Sequence, residues 1–348
     1  MRLVTLALHN FRNIKSSVFS IGEQLTVFIG DNAQGKTNCL ESIYFLTYGT
    51  GFRESKEEEL VLAGNKAGAY VEGIFTDGDM RMSCKAGLVR SETGYRKSFF
   101  INKTKKQLRQ YRQESRGVVL FAPEQIEMLT GSPDRRRSYF NKLISQFDLQ
   151  YKKHLESYER AVRRRNKILE HYEYVDKLRS EIAFWNELCL QDAQYLTKVR
   201  AEYCDFLNRH QHVDGRVFQI RYVRNEFSRE QLAKYAELEL QTRRTMFGPQ
   251  KDEFLISLSD KNVQHFGSRS EQRLALMWLK LAEISYFQEI AKFHPILLLD
   301  DIFSEFDATN KELILSLVKQ HQTVATTTDH EIVTIAKKHK IPTKVISL

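Results

Sequence analysis

Long apolar runs are missing from this chain of 348 residues. Its longest purely aliphatic stretch covers residues 296–299, far below the ~18–20 residues a membrane-spanning helix requires, so a membrane protein is excluded. An apolar secretory core is missing too. Met1-Arg2-Leu3-Val4-Thr5-Leu6 alternates like a strand, no small-residue cleavage site follows, and the expected location is the cytoplasm. Cysteine is scarce: Cys39, Cys84, Cys189 and Cys204 show no CxxC spacing and no histidine partners at metal-ligand spacing. Neither a zinc site nor a disulfide framework is expected, and the thiols read as reduced. No repeat and no low-complexity tract points to a solenoid. No further carboxylate cluster with metal-binding spacing is present, which argues against a nuclease.

Proline is also sparse, and its placement is informative. All five prolines (Pro123, Pro133, Pro249, Pro295, Pro342) lie outside residues 134–248. Helix interiors exclude proline, so that stretch reads as helix for most of its length. Within it, Leu178, Ile182, Trp185, Cys189, Leu196, Val199, Tyr203 and Phe206 form a near-heptad seam, broken where Asp192 takes an expected apolar slot. An earlier helical run sets Leu155, Tyr158 and Val162 on one face. The two helices form either an antiparallel arm or two core helices of one bundle. The flanks differ. Residues 2–9, 16–29, 117–121, 296–299, 323–327 and 344–348 alternate or run apolar with β-branched residues, which predicts strands of a helix-covered sheet. The expected fold class is α/β: a head built from residues 1–133 and 241–348, with a helical lobe inserted at 134–240. With 42% hydrophobic and 28% charged residues, the composition suits a soluble protein with a sizeable core.

What the chain does carry is a phosphate loop. Gly30-Asp31-Asn32-Ala33-Gln34-Gly35-Lys36-Thr37 fits GxxxxGK[ST] directly after the apolar strand at 25–29 and before a helix starting near Thr37. Gly30 and Gly35 let the backbone fold around an oxyanion, and the following amides present partial positive charge to it. Lys36 would reach the β- and γ-phosphates of a nucleotide, and the Thr37 hydroxyl would ligate Mg²⁺. Far downstream, Ile296-Leu297-Leu298-Leu299-Asp300-Asp301 is a buried-strand run ending in two carboxylates. Asp300 is placed to hold Mg²⁺ through water, and Asp301 to orient or activate an attacking water.

Lysine and arginine total 53 against 44 acids, a net charge of +9 that is compatible with a polyanionic partner. Three basic clusters stand out. Arg135, Arg136 and Arg137 follow Pro133 at a helix start capped by Ser132, where the macrodipole disfavours cations. Arg160, Arg163, Arg164, Arg165 and Lys167 lie on the first long helix, near Tyr151 and Tyr158, which either stack on bases or belong to the core. Lys103, Lys105, Lys106, Arg109 and Arg112 follow the strand-like residues 98–101. The DNA-binding candidates are Lys105, Lys106, Arg109, Arg135, Arg136, Arg163, Arg164 and Arg165. No base-reading motif is present, so DNA binding is expected to be salt-sensitive and sequence-independent.

The chain resembles the RecF family, bacterial DNA replication and repair ATPases related to SMC and Rad50 proteins. The resemblance rests on Asn10-Phe11-Arg12-Asn13, the phosphate loop through Asn38, and Glu41-Ser42-Ile43-Tyr44-Phe45-Leu46. It continues with Pro123-Glu124, Gly131-Ser132-Pro133-Asp134-Arg135-Arg136-Arg137, Gly248-Pro249-Gln250-Lys251-Asp252-Glu253 and Asp300-Asp301-Ile302-Phe303-Ser304-Glu305-Phe306-Asp307. It implies an ABC/SMC-type ATPase head binding ATP and Mg²⁺, with Arg12 at the nucleotide and Lys36 and Asp301 in the chemistry. It implies an ATP-dependent homodimer in which Ser268 reaches the other copy's γ-phosphate. It also implies DNA gaps or single-strand/double-strand junctions as targets, RecO- and RecR-like partners, recombinase loading and a part in the SOS response.

Departures from the family pattern bear on hydrolysis more than on fold. In Ser268-Arg269-Ser270-Glu271-Gln272-Arg273 the family's Gly is Ser270 and its Gln is Glu271. Asn141 stands for an Asp, Gln250 and Lys251 for His-Arg, and Phe306 for Leu. The reaction expected is at most a slow Mg²⁺-dependent ATP hydrolysis used as a switch. The alternative is an ATP-holding DNA scaffold with negligible hydrolysis. A less favoured one, an ABC transporter subunit, would lack the long helical insertion and the basic clusters.

Overall fold

The structure is a computed structural model. It describes residues 2–53, 56–92, 94–115, 117–171, 175–290, 292–303 and 308–348, without the side chains of 175–179, 308 and 309. Ser304, Glu305, Phe306 and Asp307 lie outside the described residues, as does the Leu178 side chain. From the amino end, strands β1 (Arg2–Phe11), β2 (Ile14–Ser20) and β3 (Leu25–Ile29) lead to helix α1 (Lys36–Tyr48). Strands β4 (Ala69–Asp77), β5 (Met80–Ser91), β6 (Gly94–Ile101) and β7 (Thr104–Lys106) follow, then α2 (Leu108–Glu114) and β8 (Val118–Phe121). The middle holds α3 (Glu127–Thr130), α4 (Pro133–Phe147), α5 (Leu149–His171), α6 (Val175–Arg209), β9 (His212–Val213), β10 (Arg216–Val223), α7 (Arg229–Lys234) and α8 (Ala236–Thr242). The rest is β11 (Glu253–Leu258), β12 (Lys261–Asn262), α9 (Val263–Phe266), α10 (Arg269–Glu289), β13 (Ile296–Asp300), α11 (Ala308–Gln320), β14 (Thr323–Thr327), α12 (Glu331–Lys338) and β15 (Thr343–Ser347). The chain divides into two units: Met1–Glu124 with Lys280–Leu348, and Gln125–Leu279.

In the first unit β15, β3, β14, β13 and β8 form an all-parallel sheet in that order. Every residue of β3, β13, β14 and β8 is buried, as continuous apolar runs require of strands with no solvent face. β3 lies between two strands from the far end of the sequence, and Leu25 pairs in register with both Thr323 and Thr343. The buried Gln322 side chain adds a further tie: its amide bonds both the N–H (2.8 Å) and the carbonyl (2.7 Å) of Leu3, and the Gly22 carbonyl at 2.8 Å.

The unit's other sheet is antiparallel, in the order β2-β1-β4-β5-β6-β7. Leu6, Leu8, Val71, Phe75, Cys84, Ala86 and Leu88 alternate onto its covered side. Helix α1 packs against strands of both sheets, so every residue from Cys39 to Tyr48 is buried. Burying side chains such as Leu40, Ile43 and Phe45 contributes roughly 1.5–3 kcal/mol each. This corrects the expectation that all the flanking strands share one helix-covered sheet. The alternation in residues 2–9 belongs to a half-buried strand, and its period of two was the sign.

In the second unit α5 and α6 pack on each other, and Tyr151, Tyr158, Ala161, Arg165 and Leu169 of α5 are buried. Tyr151 and Tyr158 are therefore core residues and not stacking platforms. Along α6, Ile182, Cys189, Leu196, Tyr203 and Phe206 are buried as the seam predicts. Asp192, in the missing apolar slot, bonds His154 Nδ1 at 2.7 Å, and that ring stacks on Tyr195. Most of 134–248 is helical, as expected, but the helical run breaks after Arg209 and resumes only in α7 and α8. In the break β9 and β10 enter a four-stranded antiparallel sheet of order β12-β11-β10-β9. Absence of proline permits strands as well as helices, and the buried Phe218 and Ile220 alternate with exposed neighbours.

The unit closes around Arg200, which is 1% exposed. Its guanidinium donates to Asp252 Oδ2 (2.5 Å), the Pro249 carbonyl (2.8 Å), Asn141 Oδ1 (2.8 Å) and Tyr151 Oη (2.9 Å). Asp252 also accepts from the Tyr222 hydroxyl and from the Asn225 N–H at 2.7 Å. Asn141, a departure from the family pattern, serves here as a neutral acceptor for the Arg200 guanidinium and the Tyr151 hydroxyl. Arg200→Met keeps the bulk and strands a buried carboxylate, which costs about 3–5 kcal/mol. Both tryptophans, Trp185 and Trp278, lie in this unit, so urea unfolding followed by tryptophan fluorescence measures the loss.

Candidate nucleotide site and charged surfaces

The phosphate loop joins the end of β3 to the start of α1. Gly35 sits at φ 104°, and a Cβ there would lie 2.8 Å from Asn13 Oδ1, so both the backbone shape and the close approach require glycine. Ala33 shares the left-handed region at φ 68°. Lys36 Nζ donates to the carbonyls of Gly30 (2.7 Å) and Asp31 (2.8 Å), which spans the loop with a cation. Gln34 Oε1 accepts the Asp31 N–H at 2.8 Å. Asp31, Asn32, Ala33 and Gln34 are exposed, so the loop faces solvent.

Asp300 reaches this loop from the carboxyl end of β13. Its Oδ1 accepts from the Thr37 hydroxyl at 2.8 Å and from the Thr326 hydroxyl at 2.7 Å. Burial pushes its carboxyl above the ordinary range, and the two hydroxyls and the nearby Arg53 charge only partly offset this. A hydroxyl and a buried carboxylate in contact are hard oxygen donors of the kind Mg²⁺ takes. Asp301 adopts a left-handed φ of 47°, its N–H bonded to Thr326 Oγ1 at 3.0 Å.

A charged group under the loop escaped sequence reading. Glu41 of α1 is fully buried and receives Arg12 in a bidentate contact at 2.7 and 3.1 Å. Arg53 adds its backbone N–H (3.1 Å) and its guanidinium (3.2 Å), and also donates to Asn38 at 2.6 Å. Burial raises the Glu41 carboxyl, but the arginine bonds outweigh it and the net shift is downward. Arg12, expected at the nucleotide, is thus bound to Glu41 and to the Glu59 carbonyl. The available signal was an acid set in the largely apolar run from Cys39 to Leu46.

Ser268 and Glu271 lie in the second unit, at the start of α10. Glu271 Oε2 accepts the Ser268 N–H at 2.7 Å, Ser268 Oγ accepts the Glu271 N–H at 3.3 Å, and Lys261 Nζ is 3.5 Å from the same carboxylate.

The basic clusters divide sharply. Arg136 is buried in a bidentate pair with Glu253 at 2.7 and 2.9 Å. Arg165 is buried between Glu239, Asn186 and Thr245. Both are therefore corrected from DNA candidates to internal partners of acids. Arg135 is exposed and paired with Glu127, and Arg137 with Asp134, so local acids answer the cations at this helix start. Ser132 precedes α4 but makes no side-chain cap bond. Lys106 pairs with Glu114 at 2.8 Å. Lys105, Arg109, Arg163 and Arg164 are exposed. All four cysteines are free and buried, with burial pushing the Cys39, Cys84 and Cys189 thiols up to about 12. Among the described residues no helix is long and apolar enough to cross a membrane, and no cluster of three or more metal-ligating side chains occurs.

A loop at the end of a buried parallel strand, met by a carboxylate 263 residues away, defines an ABC/SMC-type P-loop head. The sequence model of the RecF/RecN/SMC N-terminal domain matches residues 2–344, and the chain belongs to that family, among its RecF proteins. It is 30% identical to the DNA replication and repair protein RecF of Exiguobacterium sp., covering 97% of this chain and 96% of that one. The RecF of Natranaerobius thermophilus is 29% identical, over 95% and 92% of the two chains. A solved structure described as the recombination mediator protein RecF-ATPrS in the RecFOR pathway superposes with a TM-score of 0.86 at 27% identity, covering 100% of this chain and 96% of that one.

Two carboxylates set opposite pH behaviour. Glu41, shifted down on folding, stabilises fully above its unfolded value of ~4.3, and that contribution is lost as pH falls through the folded value. Asp300, shifted up, costs stability at neutral pH, and the cost vanishes below ~3.9. In the nucleotide-free protein Asp300→Asn therefore raises the melting temperature at pH 7, with the gain fading on acidification. Glu41→Gln lowers it at pH 7 and flattens the acid limb. Thermal melts from pH 7 to 3 measure both.

Proposed function

We propose that this chain is an ATP-dependent DNA-binding protein of replication and recombinational repair, in which ATP-Mg²⁺ joins two copies around DNA. The observation that carries the reading is the Thr37–Asp300 contact at 2.8 Å beside a loop spanned by Lys36. In it Gly30–Thr37 hold the triphosphate, Lys36 neutralises its β- and γ-oxygens, and Thr37 and Asp300 hold Mg²⁺. Asp301 orients water. Ser268 of the second copy completes the site, while Arg12 and Arg53 shape its wall through Glu41. Bound ATP-Mg²⁺ supplies the charge that two heads share. Hydrolysis, at most slow, releases them.

The reading extends to single-strand gaps and junctions as targets, RecO- and RecR-like proteins as partners, recombinase loading and the SOS response as the setting, and the cytoplasm as the location. What supports it is that relatives are described as DNA replication and repair proteins and one as a recombination mediator of the RecFOR pathway. Exposed Lys105, Arg109, Arg163 and Arg164 are the phosphate contacts this reading favours. The Ser268–Glu271 contact favours one variant, an ATP-holding scaffold that scarcely hydrolyses.

Fluorescent gapped duplex is titrated at two salt concentrations without nucleotide, with ATP-Mg²⁺ and with ADP. ATP should tighten binding severalfold and Lys36→Arg should abolish that effect. Replacing Lys105 and Arg109 with Glu should make the salt dependence shallower, by about 1 in slope for each phosphate no longer neutralised, whatever the DNA sequence. Absence of binding in every state sinks the clamp.

A further inference from the structure

Helix α10 begins with a reciprocal cap that carries a charge where the family pattern has a neutral glutamine. Ser268 is its N-cap and Glu271 its third residue, and each side chain takes the other's backbone N–H, at 3.3 and 2.7 Å. This reciprocal arrangement satisfies two amide donors that a helix start otherwise leaves open, and it sets a carboxylate where the macrodipole draws anions. Lys261 Nζ, 3.5 Å away, balances the carboxylate from one side. Ser268 is exposed, so the cap lies at the surface.

We propose that Glu271 is a built-in competitor for phosphate: in the single chain its carboxylate holds the Ser268 N–H, and it must release that donor when a second copy presents its nucleotide. Glu271 then sets the ATP concentration at which two copies join, and Lys261 tempers it. The inference rests on the ATP-driven pairing proposed above and adds the residue that opposes it. Two effects act together. The carboxylate and the γ-phosphate seek the same Ser268 N–H, and they repel each other. One unit charge at ~4 Å in water-like surroundings is worth about 1 kcal/mol, or about fivefold in an equilibrium constant. Glutamine at the same position accepts the same cap bond without charge, so Glu271→Gln isolates the electrostatic part.

The experiment is sedimentation velocity of the full chain across an ATP-Mg²⁺ titration for wild type, Glu271→Gln and Lys261→Ala, with nucleotide binding measured in parallel. Glu271→Gln should need about fivefold less ATP for half-maximal association, and Lys261→Ala should need more. Raising salt should draw the three curves together, because the difference is screened charge. Glu271→Gln should melt with the wild type, since its cap is intact. If wild type associates with ATP and Glu271→Gln moves by less than about twofold, or if both variants move the same way, the inference falls while the pairing stands. If all three bind ATP yet stay single at every concentration, both fall together.

Discussion

Asp300 holds the two ends of the chain to one another. Its carboxylate is buried, and it takes hydroxyls from the start of α1 and from β14, elements far apart in sequence. For Thr37 to arrive there, β3 must lie between β14 and β15, and α1 must run between the two sheets of the first unit. The parallel order of the sheet and the burial of α1 therefore serve one requirement: a phosphate loop and an acidic strand end brought within a hydrogen bond. Burial disfavours the charge on Asp300, and the hydroxyls offset only part of that cost. A cation bound there, as the proposed Mg²⁺ site has it, would offset the remainder.

The same physics accounts for Glu41. It is as deeply buried as Asp300, yet its carboxyl shifts the other way, because two arginines bond it and their charges prevail over desolvation. One buried acid is satisfied within the chain and stiffens the wall behind the loop. The other is left short of positive charge beside the loop itself. The number of cationic partners, rather than burial, separates a structural acid from a candidate ligand.

How much of this was legible depends on distance along the chain. The phosphate loop is a local pattern whose backbone consequences follow from residue type, and its strand and helix lie where the pattern puts them. The continuous runs at 25–29, 296–299 and 323–327 announce strands buried on both faces, and β3, β13 and β14 are such strands. What remains hidden in the sequence is pairing between distant positions. Nothing near Arg165 announces Glu239, and nothing near Arg200 announces Asp252. Period is the local signal that separates the two kinds of sheet: residues 2–9 alternate and 216–223 alternate, and both belong to sheets with one covered face.

The arginines show how a count of charge misleads about where charge acts. Net charge is unchanged when a cation pairs with an acid, so +9 describes the far field whatever the fold does. The near field is different. Arg12, Arg136, Arg165 and Arg200 are bound to Glu41, Glu253, Glu239 and Asp252, the first three bidentately, a geometry that suits guanidinium better than ammonium. Helix periodicity separates the consecutive cations of α5. Tyr158, Ala161, Arg165 and Leu169 recur at spacings of three and four, so Arg165 falls in the buried stripe, while Arg163 and Arg164 face outward. A basic run on a helix is thus not one surface but several, and only the residues off the apolar stripe are placed to meet a phosphate backbone.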